Sequence, residues 1–233
     1  RSANTVGGDY YDFIEVGNDK LGVVIADVSG KSLPGMLVML LTRDLVITQA
    51  RHTSDPAELL SLVNRELLSE IRKGMFVTMF YGILDVTTGR FQFASAGHNP
   101  LIHYSALEGR CHLIKTKGYP LGMMNAEAFN KRIESGEISL NAGDNLIQYT
   151  DGINEAMDTA RTEYGMDRLL STITSHASLP ADILADAVMN HLSEFVADAP
   201  QSDDMTLVTM KWNGSMPENN KIIKEAYSHV TGR

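Results

Sequence analysis

Residues 21–30 read LGVVIADVSG, and this stretch contains the two features on which the interpretation of the fold depends. The apolar run at residues 21–26 predicts a strand, because short β-branched runs bounded by turn residues are typical of strands. Asp27 follows the run directly, and the small residues Ser29 and Gly30 come after it. The sequence therefore predicts a strand that carries a carboxylate at its end.

Similar short segments make up most of the chain. Nine of them are rich in β-branched or aromatic residues and bounded by turn residues, which predicts strands over residues 10–16, 21–27, 76–84, 90–96, 101–104, 111–115, 129–138, 145–150 and 205–212. Four others are predicted helices, over residues 34–51, 56–73, 167–176 and 180–196. The second helix starts at Asp55 and Pro56, an N-cap residue followed by a proline suited to the first turn.

The order of these elements predicts the fold class. Two strands, two helices, about six strands, two helices and a last strand follow one another. Runs of neighbouring strands suggest antiparallel sheets, and each helix pair suggests a layer on one side. We therefore expect an α+β fold, a four-layer α/β/β/α sandwich of two antiparallel sheets flanked by helix pairs. It should span residues 6–212 as one domain, followed by a polar C-terminal tail, residues 213–233, in which residues 221–230 could form a short helix.

Composition and charge exclude several functional classes. The chain has 233 residues, of which 43% are hydrophobic and 21% charged, values that are ordinary for a folded protein. The net charge of −9 lacks the basic excess that nucleic acids and anionic membranes attract, so we expect no nucleic-acid partner. The longest apolar run, residues 35–41, is much shorter than the roughly 18 residues that span a bilayer, so we expect a chain that is not membrane-bound.

The single cysteine and the first residue bear on cellular context. Cys111 has no second cysteine with which to form an internal disulfide. This fits a reducing compartment, and we expect a cytoplasmic protein. The chain begins with Arg1 rather than methionine, so we expect it to be a piece of a longer protein.

Four aspartates share the same context near predicted strand ends: Asp9, Asp27, Asp151 and Asp203. Strand ends at one edge of a sandwich can converge, and converging carboxylates repel one another unless a cation lies between them. Oxygen ligands without a His or Cys cluster favour Mg²⁺ or Mn²⁺, and two such ions could activate a water and hold a phosphoryl oxygen. The alternative is that each residue is a turn aspartate or an N-cap, the usual role of Asp beside Gly.

Seven motifs, in order along the chain, resemble the signatures of one family. They are VGGDYYDF at residues 6–13, ADVSGK at 26–31, FVTMFYG at 76–82, SAGHNP at 95–100, PLG at 120–122, YTDGINEA at 149–156 and DDMT at 203–206. The chain resembles the SpoIIE/RsbU-type bacterial serine phosphatases, which belong to the metal-dependent protein phosphatases (PPM, type 2C). The resemblance covers residues 6–212.

The resemblance implies a fold, an activity and a set of site residues. The fold would be the α/β/β/α sandwich, with two Mn²⁺ or Mg²⁺ ions at one end. Asp27 would bridge both ions, and the Val28 carbonyl would bind one of them. Asp9 would help to hold the first ion, so Asp9 and Asp27 are the expected catalytic residues. Asp151 and Asp203 would hold the second ion.

The resemblance also implies a substrate and partners. The expected reaction is hydrolysis of phosphoserine or phosphothreonine on a partner protein, a STAS-type anti-anti-sigma factor, by metal-activated water and without a phosphoenzyme. An upstream sensor or receiver domain is expected in the full-length chain, and a homodimer is an open alternative. The competing class is a catalytically weak regulatory binding module of the same fold. Retention of all four aspartates favours the enzyme.

Four residues need separate interpretation. Ser29 stands where eukaryotic relatives carry a proton-donating His, so the proton for the leaving group must come from metal-bound water or another group. Ser32 replaces a frequent glycine and would cap the following helix. His98 is expected to be a turn histidine bonded to the backbone rather than a catalytic residue. Asp204, beside the expected ligand Asp203, is expected to support the start of the last strand.

The helix predicted over residues 34–51 is apolar on all sides in its first turns. A helix that lies on one sheet buries only one stripe of side chains. The remainder is therefore expected to face another helix, a dimer partner or an upstream segment, which would make this helix a regulatory element. The alternative is that the helix predicted over residues 56–73 covers it.

Overall fold

The computed structural model describes residues 7–17, 19–30 and 33–214. The expected helix at residues 221–230 and the expected Ser32 cap lie outside the described residues. Five antiparallel strands form the first sheet in the order β1-β2-β3-β4-β7, namely β1 (Asp9–Glu15), β2 (Lys20–Val28), β3 (Val77–Asp85), β4 (Arg90–Ala96) and β7 (Ser135–Ser139). Four form the second sheet in the order β6-β5-β8-β9, namely β5 (Leu101–Ser105), β6 (Arg110–Ile114), β8 (Asn145–Tyr149) and β9 (Leu207–Lys211).

Helices cover the outer face of each sheet. Those beside the first sheet are α1 (Leu33–Gln49), α2 (Pro56–Glu70) and the short α3 (Ala126–Asn130). Those beside the second sheet are the short α4 (Asp151–Asn154), α5 (Gly165–His176) and α6 (Ala181–Val196). Asp55 caps α2 as predicted, because its Oδ1 accepts the amide hydrogens of Ala57 and Glu58 at 2.8 and 3.3 Å.

Three hydrophobic clusters separate the four layers. The first lies between the first sheet and its helices and includes Val24 and Leu60. The second fills the space between the sheets, where the rings of Phe80, Phe91 and Phe93 stack with centroids 5.6–6.3 Å apart. The third lies between the second sheet and α5 and α6. The predicted fold class, a four-layer α/β/β/α sandwich, is confirmed.

The strand predicted over residues 129–138 is wrong in its first half. Phe129 lies in α3, which is capped by Asn125 through a 2.9 Å hydrogen bond from the Ala128 amide to Oδ1. Its ring is buried in the cluster under α2, so this aromatic residue fills the core from a helix. Strand pairing begins only at Ser135, where β7 meets β4.

The α2 helix covers part of α1 and leaves the rest open. The two helices pack against each other, and Val38, Met39 and Val46 are buried. Three leucines at helical spacing, Leu33, Leu37 and Leu40, nevertheless remain 53–64% exposed. The alternative, in which α2 covers the rest of the apolar surface of α1, is therefore wrong. None of the helices in the described ranges has the length and hydrophobicity needed to cross a membrane.

Candidate metal centre

Two of the predicted ligands lie on neighbouring strands of the first sheet. The antiparallel register of β1 and β2 places Asp9 directly opposite Asp27. Side chains opposite each other on adjacent strands have Cβ atoms about 5 Å apart, so two carboxylates there repel each other strongly. The charge of Asp9 accordingly raises the pKa of Asp27.

The other two predicted ligands come from the second sheet. Asp151 begins α4 just after β8, and Asp203 precedes β9. The segment carrying Asp203 passes so close to α4 that a Cβ atom on Gly152 would lie 1.9 Å from the Asp204 carbonyl oxygen. Only glycine permits this approach, which brings the backbones beside Asp151 and Asp203 together.

Hydrogen bonds connect the two sheets at this end. Asp9 Oδ2 accepts the hydroxyl hydrogens of Thr150 and Thr206 at 2.8 and 2.7 Å. Thr150 Oγ1 in turn accepts the Thr206 amide hydrogen at 3.0 Å. The Gly8 amide donates to Asp204 Oδ2 at 2.5 Å. Residues distant in sequence therefore orient Asp9 toward the same end of the sandwich.

The electrostatics of the site follow from this convergence. Burial first, and then the charges of Asp9, Asp151 and Asp203, together raise the pKa of Asp27 from 3.8 to about 8. The pKa of Asp9 is also raised, by burial first and by carboxylates second, although its two threonine hydrogen bonds act against this. Among the described residues, the largest charge effects on Asp27 thus all come from acidic groups.

The two neighbouring aspartates before β9 differ in their surroundings. Asp204 is 5% exposed, and its carboxylate accepts the Gly8 amide hydrogen. Asp203 is more exposed and adds to the charge at Asp27. The two residues lie at a bend before β9, where the Asp204 amide donates to Asp203 Oδ1 at 2.8 Å. The geometry supports Asp203 as the ligand, which stays a prediction. The expected support of the β9 start by Asp204 also stays a prediction, and the structure shows that the Asp204 carboxylate binds the Gly8 amide, just before β1.

The donor set fits a hard divalent cation. The four aspartates offer only oxygen atoms, and a cation among them would remove the repulsion that raises the Asp27 pKa. Within residues 7–17, 19–30 and 33–214, no group of three or more His, Cys, Asp or Glu side chains is arranged as a ready metal cage. The carboxylates would therefore have to draw closer around an ion.

The structure also places the other residues that sequence analysis singled out. Ser29 binds Phe76 twice: its amide donates to the Phe76 carbonyl at 2.9 Å, and its Oγ accepts the Phe76 amide hydrogen at 2.8 Å. The backbone amide of His98 donates to Ser95 Oγ at 3.1 Å, and its ring nitrogen Nδ1 lies 3.0 Å from Thr78 Oγ1. Burial raises the pKa of the Cys111 thiol, which does not suit a nucleophile.

The sequence analysis did not single out three residues that contribute to the site. Thr150 and Thr206 orient Asp9. The only sequence feature that could have identified them is their position in two motifs, one residue before Asp151 and two residues after Asp204. Glu155 is the third, because burial and then the charges of Asp151, Glu163 and Asp203 raise its pKa. Its position in the motif at residues 149–156 was the available signal.

Solved structures with this architecture define the class to which the fold belongs. The RsbU and RsbW domains of Rv1364c from Mycobacterium tuberculosis match with a TM-score of 0.76 and 26% identity, over 92% of this chain and 57% of that one. The SiaA-PP2C domain of Pseudomonas aeruginosa matches with a TM-score of 0.76 and 23% identity, over 90% and 82% of the two chains. The architecture is that of a PP2C-type phosphatase domain.

Sequence comparison narrows this class to one family. The model of the family Stage II sporulation protein E (SpoIIE) matches residues 17–213, and the chain belongs to this family. Protein IcfG of Synechocystis sp. is 29% identical over 238 residues, and phosphoserine phosphatase RsbU of Bacillus subtilis is 28% identical over 215 residues. The alignments cover 91% and 90% of this chain but 37% and 60% of the relatives. The chain thus spans about a third to three fifths of their length.

Proposed function

We propose that this chain is a metal-dependent protein phosphatase that hydrolyses phosphoserine or phosphothreonine on a partner protein. Membership of the SpoIIE family supports the activity, and the name of the relative RsbU, a phosphoserine phosphatase, supports the substrate chemistry. The proposed partner is a phosphorylated STAS-type anti-anti-sigma factor. A sensor or receiver domain elsewhere in the full-length protein would control the reaction, which we place in the cytoplasm.

The observation that carries the proposal is the convergence of carboxylates on Asp27. Its pKa of about 8 reflects burial together with three acidic neighbours, and a divalent cation would relieve both effects. In the proposed site, Asp27 would help to hold both ions, and the Val28 carbonyl and Asp9 would help to hold the first. Asp151 and Asp203 would hold the second. When bound, Mn²⁺ or Mg²⁺ would supply a water of lowered pKa and a positive field for the phosphoryl oxygens.

The chain's own residues would orient the reactants. Thr150 and Thr206 fix one oxygen of Asp9, which leaves the other carboxylate oxygen for the site. The phosphoryl group would pass directly to water: a new P–O bond forms, the ester P–O bond breaks, and the serine oxygen leaves with a proton. Ser29 cannot replace an imidazole as the donor of that proton, so water is the proposed source.

The rival function is a regulatory module of the same fold that binds partners without turnover. Turnover of p-nitrophenyl phosphate by the purified chain separates the two. We expect turnover that requires Mn²⁺ or Mg²⁺ and stops when EDTA removes the metal. Absence of turnover at every metal concentration, in a chain that still binds Mn²⁺, would favour the binding module.

The proposed partner needs its own experiment. The chain would be incubated with each phosphorylated STAS protein of its own genome, and the loss of phosphate followed by mass spectrometry. We expect one or a few of these proteins to lose phosphate in an Mn²⁺-dependent way. Turnover of p-nitrophenyl phosphate without loss from any STAS protein would contradict the substrate and leave the phosphatase activity in place.

A further inference from the structure

The loop of residues 97–100 crosses between the two sheets at the acidic end of the sandwich. Strand β4 of the first sheet ends at Ala96, and β5 of the second begins at Leu101. Ser95 Oγ accepts the amide hydrogen of His98 at 3.1 Å and donates to the His98 carbonyl at 3.2 Å. The backbone of His98 is thereby fixed to the end of β4, and its ring is held between the sheets.

The His98 ring contacts both sheets beside the carboxylates. On one side, Nδ1 lies 3.0 Å from Thr78 Oγ1, and Thr78 pairs directly with Asp27 in the β2–β3 register. On the other side, the ring interacts with the carbonyl of Tyr149. Tyr149 ends β8, two residues before Asp151. The ring therefore spans the gap between two strand ends that carry predicted ligands.

The chemistry of the ring suits a fixed bridge. Burial lowers the pKa of His98 to about 4, against the smaller opposing effect of the Tyr149 carbonyl, so the ring is neutral. Nδ1 and Thr78 Oγ1 share a hydrogen bond, and Thr78 Oγ1 also lies 3.4 Å from the backbone carbonyl oxygen of Asp27. Nε2 is buried and has no hydrogen-bond partner among the described residues, so the carbonyl of Tyr149 acts on the ring only through its charge distribution.

We propose that His98 is a positioning residue of the metal centre, which holds the strand end carrying Asp27 at a fixed distance from the strand end leading to Asp151. The two strand ends belong to different sheets, so no backbone ladder sets their spacing. Asn99 gives the loop a second hold on the same point, because its Nδ2 donates to the Tyr149 carbonyl at 3.2 Å. The inference rests on the proposed function, since it assumes that the carboxylates bind ions.

Calorimetric Mn²⁺ titration of the metal-free chain tests the inference, with the melting temperature as a second readout. His98→Phe removes both polar contacts at similar volume, and Thr78→Val removes only the hydroxyl. We expect each to weaken Mn²⁺ binding about tenfold, the effect typical of lost partners behind metal ligands. The double variant should bind Mn²⁺ no more weakly than His98→Phe alone, because Thr78→Val removes a contact that His98→Phe has already removed. Thr78→Ser keeps the hydroxyl and should bind like the parent.

His103→Phe is the matched control. His103 Nε2 lies 3.0 Å from Asp144 Oδ2, just before the opposite end of β8, so its loss should lower the melting temperature and leave Mn²⁺ affinity unchanged. The inference is overturned if His98→Phe and Thr78→Val bind Mn²⁺ like the parent, or if His103→Phe weakens binding equally. If His98→Phe fails to fold, equal affinities of Thr78→Val and Thr78→Ser overturn it.

The outcomes also separate this inference from the proposed function. A parent chain that binds no Mn²⁺ overturns both. A parent that binds Mn²⁺, together with variants of unchanged affinity, overturns the positioning role alone. Reduced affinity in His98→Phe and Thr78→Val, with unchanged affinity in Thr78→Ser and His103→Phe, supports the positioning role.

Discussion

Asp144, just before β8, and Asp27, on β2, lie near opposite ends of the sandwich in opposite electrostatic environments. Asp144 is fully buried. Burial alone would raise its pKa, but two backbone amides at 2.8 and 2.9 Å and the His103 ring outweigh it and lower the pKa. By contrast, Asp27 meets carboxylates from both sheets, and its pKa rises to about 8. Within the part of the chain that the structure describes, hydrogen-bond donors surround the Asp144 carboxylate, whereas other carboxylates surround that of Asp27.

The difference separates a structural carboxylate from a functional one. Around Asp144 the fold supplies hydrogen-bond donors, so the charge is satisfied without any other molecule. Around Asp27 the fold supplies like charges, which oppose folding of the metal-free chain. Clusters of groups with strongly shifted pKa values are typical of functional sites, and a cation is the simplest means of satisfying this one. Substitutions at Asp27 and at Asp144 test this difference.

The largest expected effect is the loss of turnover in Asp27→Asn. This change removes the charge and almost preserves the volume of the proposed bridging ligand. We expect Mn²⁺-dependent hydrolysis of p-nitrophenyl phosphate to fall by more than about 100-fold, since even residues behind a metal ligand cost 10–100-fold. Asp144→Asn is the control, and its folded fraction should turn over substrate normally. Near-normal turnover by Asp27→Asn would show that the bridging assignment is wrong.

A smaller effect should separate the adjacent aspartates before β9. Asp203→Ala should weaken Mn²⁺ binding at least about tenfold in a calorimetric titration, because it removes a proposed ligand. Asp204→Ala should chiefly destabilise the fold, by about 1–3 kcal/mol, because it leaves the buried Gly8 amide without its acceptor. Equal losses of Mn²⁺ affinity in the two variants would contradict the choice of Asp203.

The pH dependence of stability should have opposite signs at the two carboxylates. The pKa of Asp27 is raised in the folded state, so its contribution is fully present below about pH 4 and is lost as the pH rises toward 8. The pKa of Asp144 is lowered, so its contribution is present above the ordinary aspartate pKa and is lost as the pH falls through the folded value. Metal-free Asp27→Asn should therefore be more stable than the parent at pH 8.

Urea unfolding in EDTA between pH 5 and 8 provides the measurement. The parent should lose stability across this range, and Asp27→Asn should lose less. Asp144→Asn should be less stable than the parent at pH 7, by about 2 kcal/mol, and should keep the parent's slope over pH 5–8. A slope in Asp27→Asn as steep as in the parent would mean that Asp27 is not the group that titrates.

The sequence predicted the positions of the strands at this site more accurately than the contacts between them. β2 and β8 carry local signals, an apolar run followed by an acidic turn, and both form where predicted within two residues. The hydrogen bonds that orient Asp9 join it to Thr150 and Thr206, which lie 141 and 197 residues away. Local patterns contain no information about such distant contacts. The residues alone left a shared site of the four aspartates open against separate turn roles, and the resemblance to a family favoured the shared site.

The failures also have physical causes. Helix α4, Asp151–Asn154, is too short to show a helical period, so it was absent from the predicted elements. The segment at residues 129–138 was predicted as one strand because it contains the aromatic residue Phe129 and the β-branched residue Ile133, which are both common in strands. The Asn125 cap instead starts a helix there, and tertiary burial of the Phe129 ring stabilises it. Local propensity was outweighed by packing in this case.

The smallest expected effect on folding concerns the exposed face of α1. Leu37 and Leu40 are 57% and 53% exposed, so a charge at either position removes little buried area. We expect Leu37→Glu and Leu40→Glu to change the free energy of unfolding by less than about 0.5 kcal/mol. A helix face with apolar residues that the fold does not cover is typical of an interaction surface. If copies of this chain associate through it, both variants should sediment as a lighter species.

Leu107 makes this test specific. It is 86% exposed on the turn after β5, away from α1, so Leu107→Glu adds the same charge without altering the helix face. We expect Leu107→Glu to sediment and to bind Mn²⁺ like the parent. Leu37→Glu and Leu40→Glu should differ from it in sedimentation velocity or in Mn²⁺ titration, because α1 begins five residues after Val28 ends β2, beside the proposed site. If all three variants match the parent in both measurements, α1 is a plain packing helix with a solvated apolar edge.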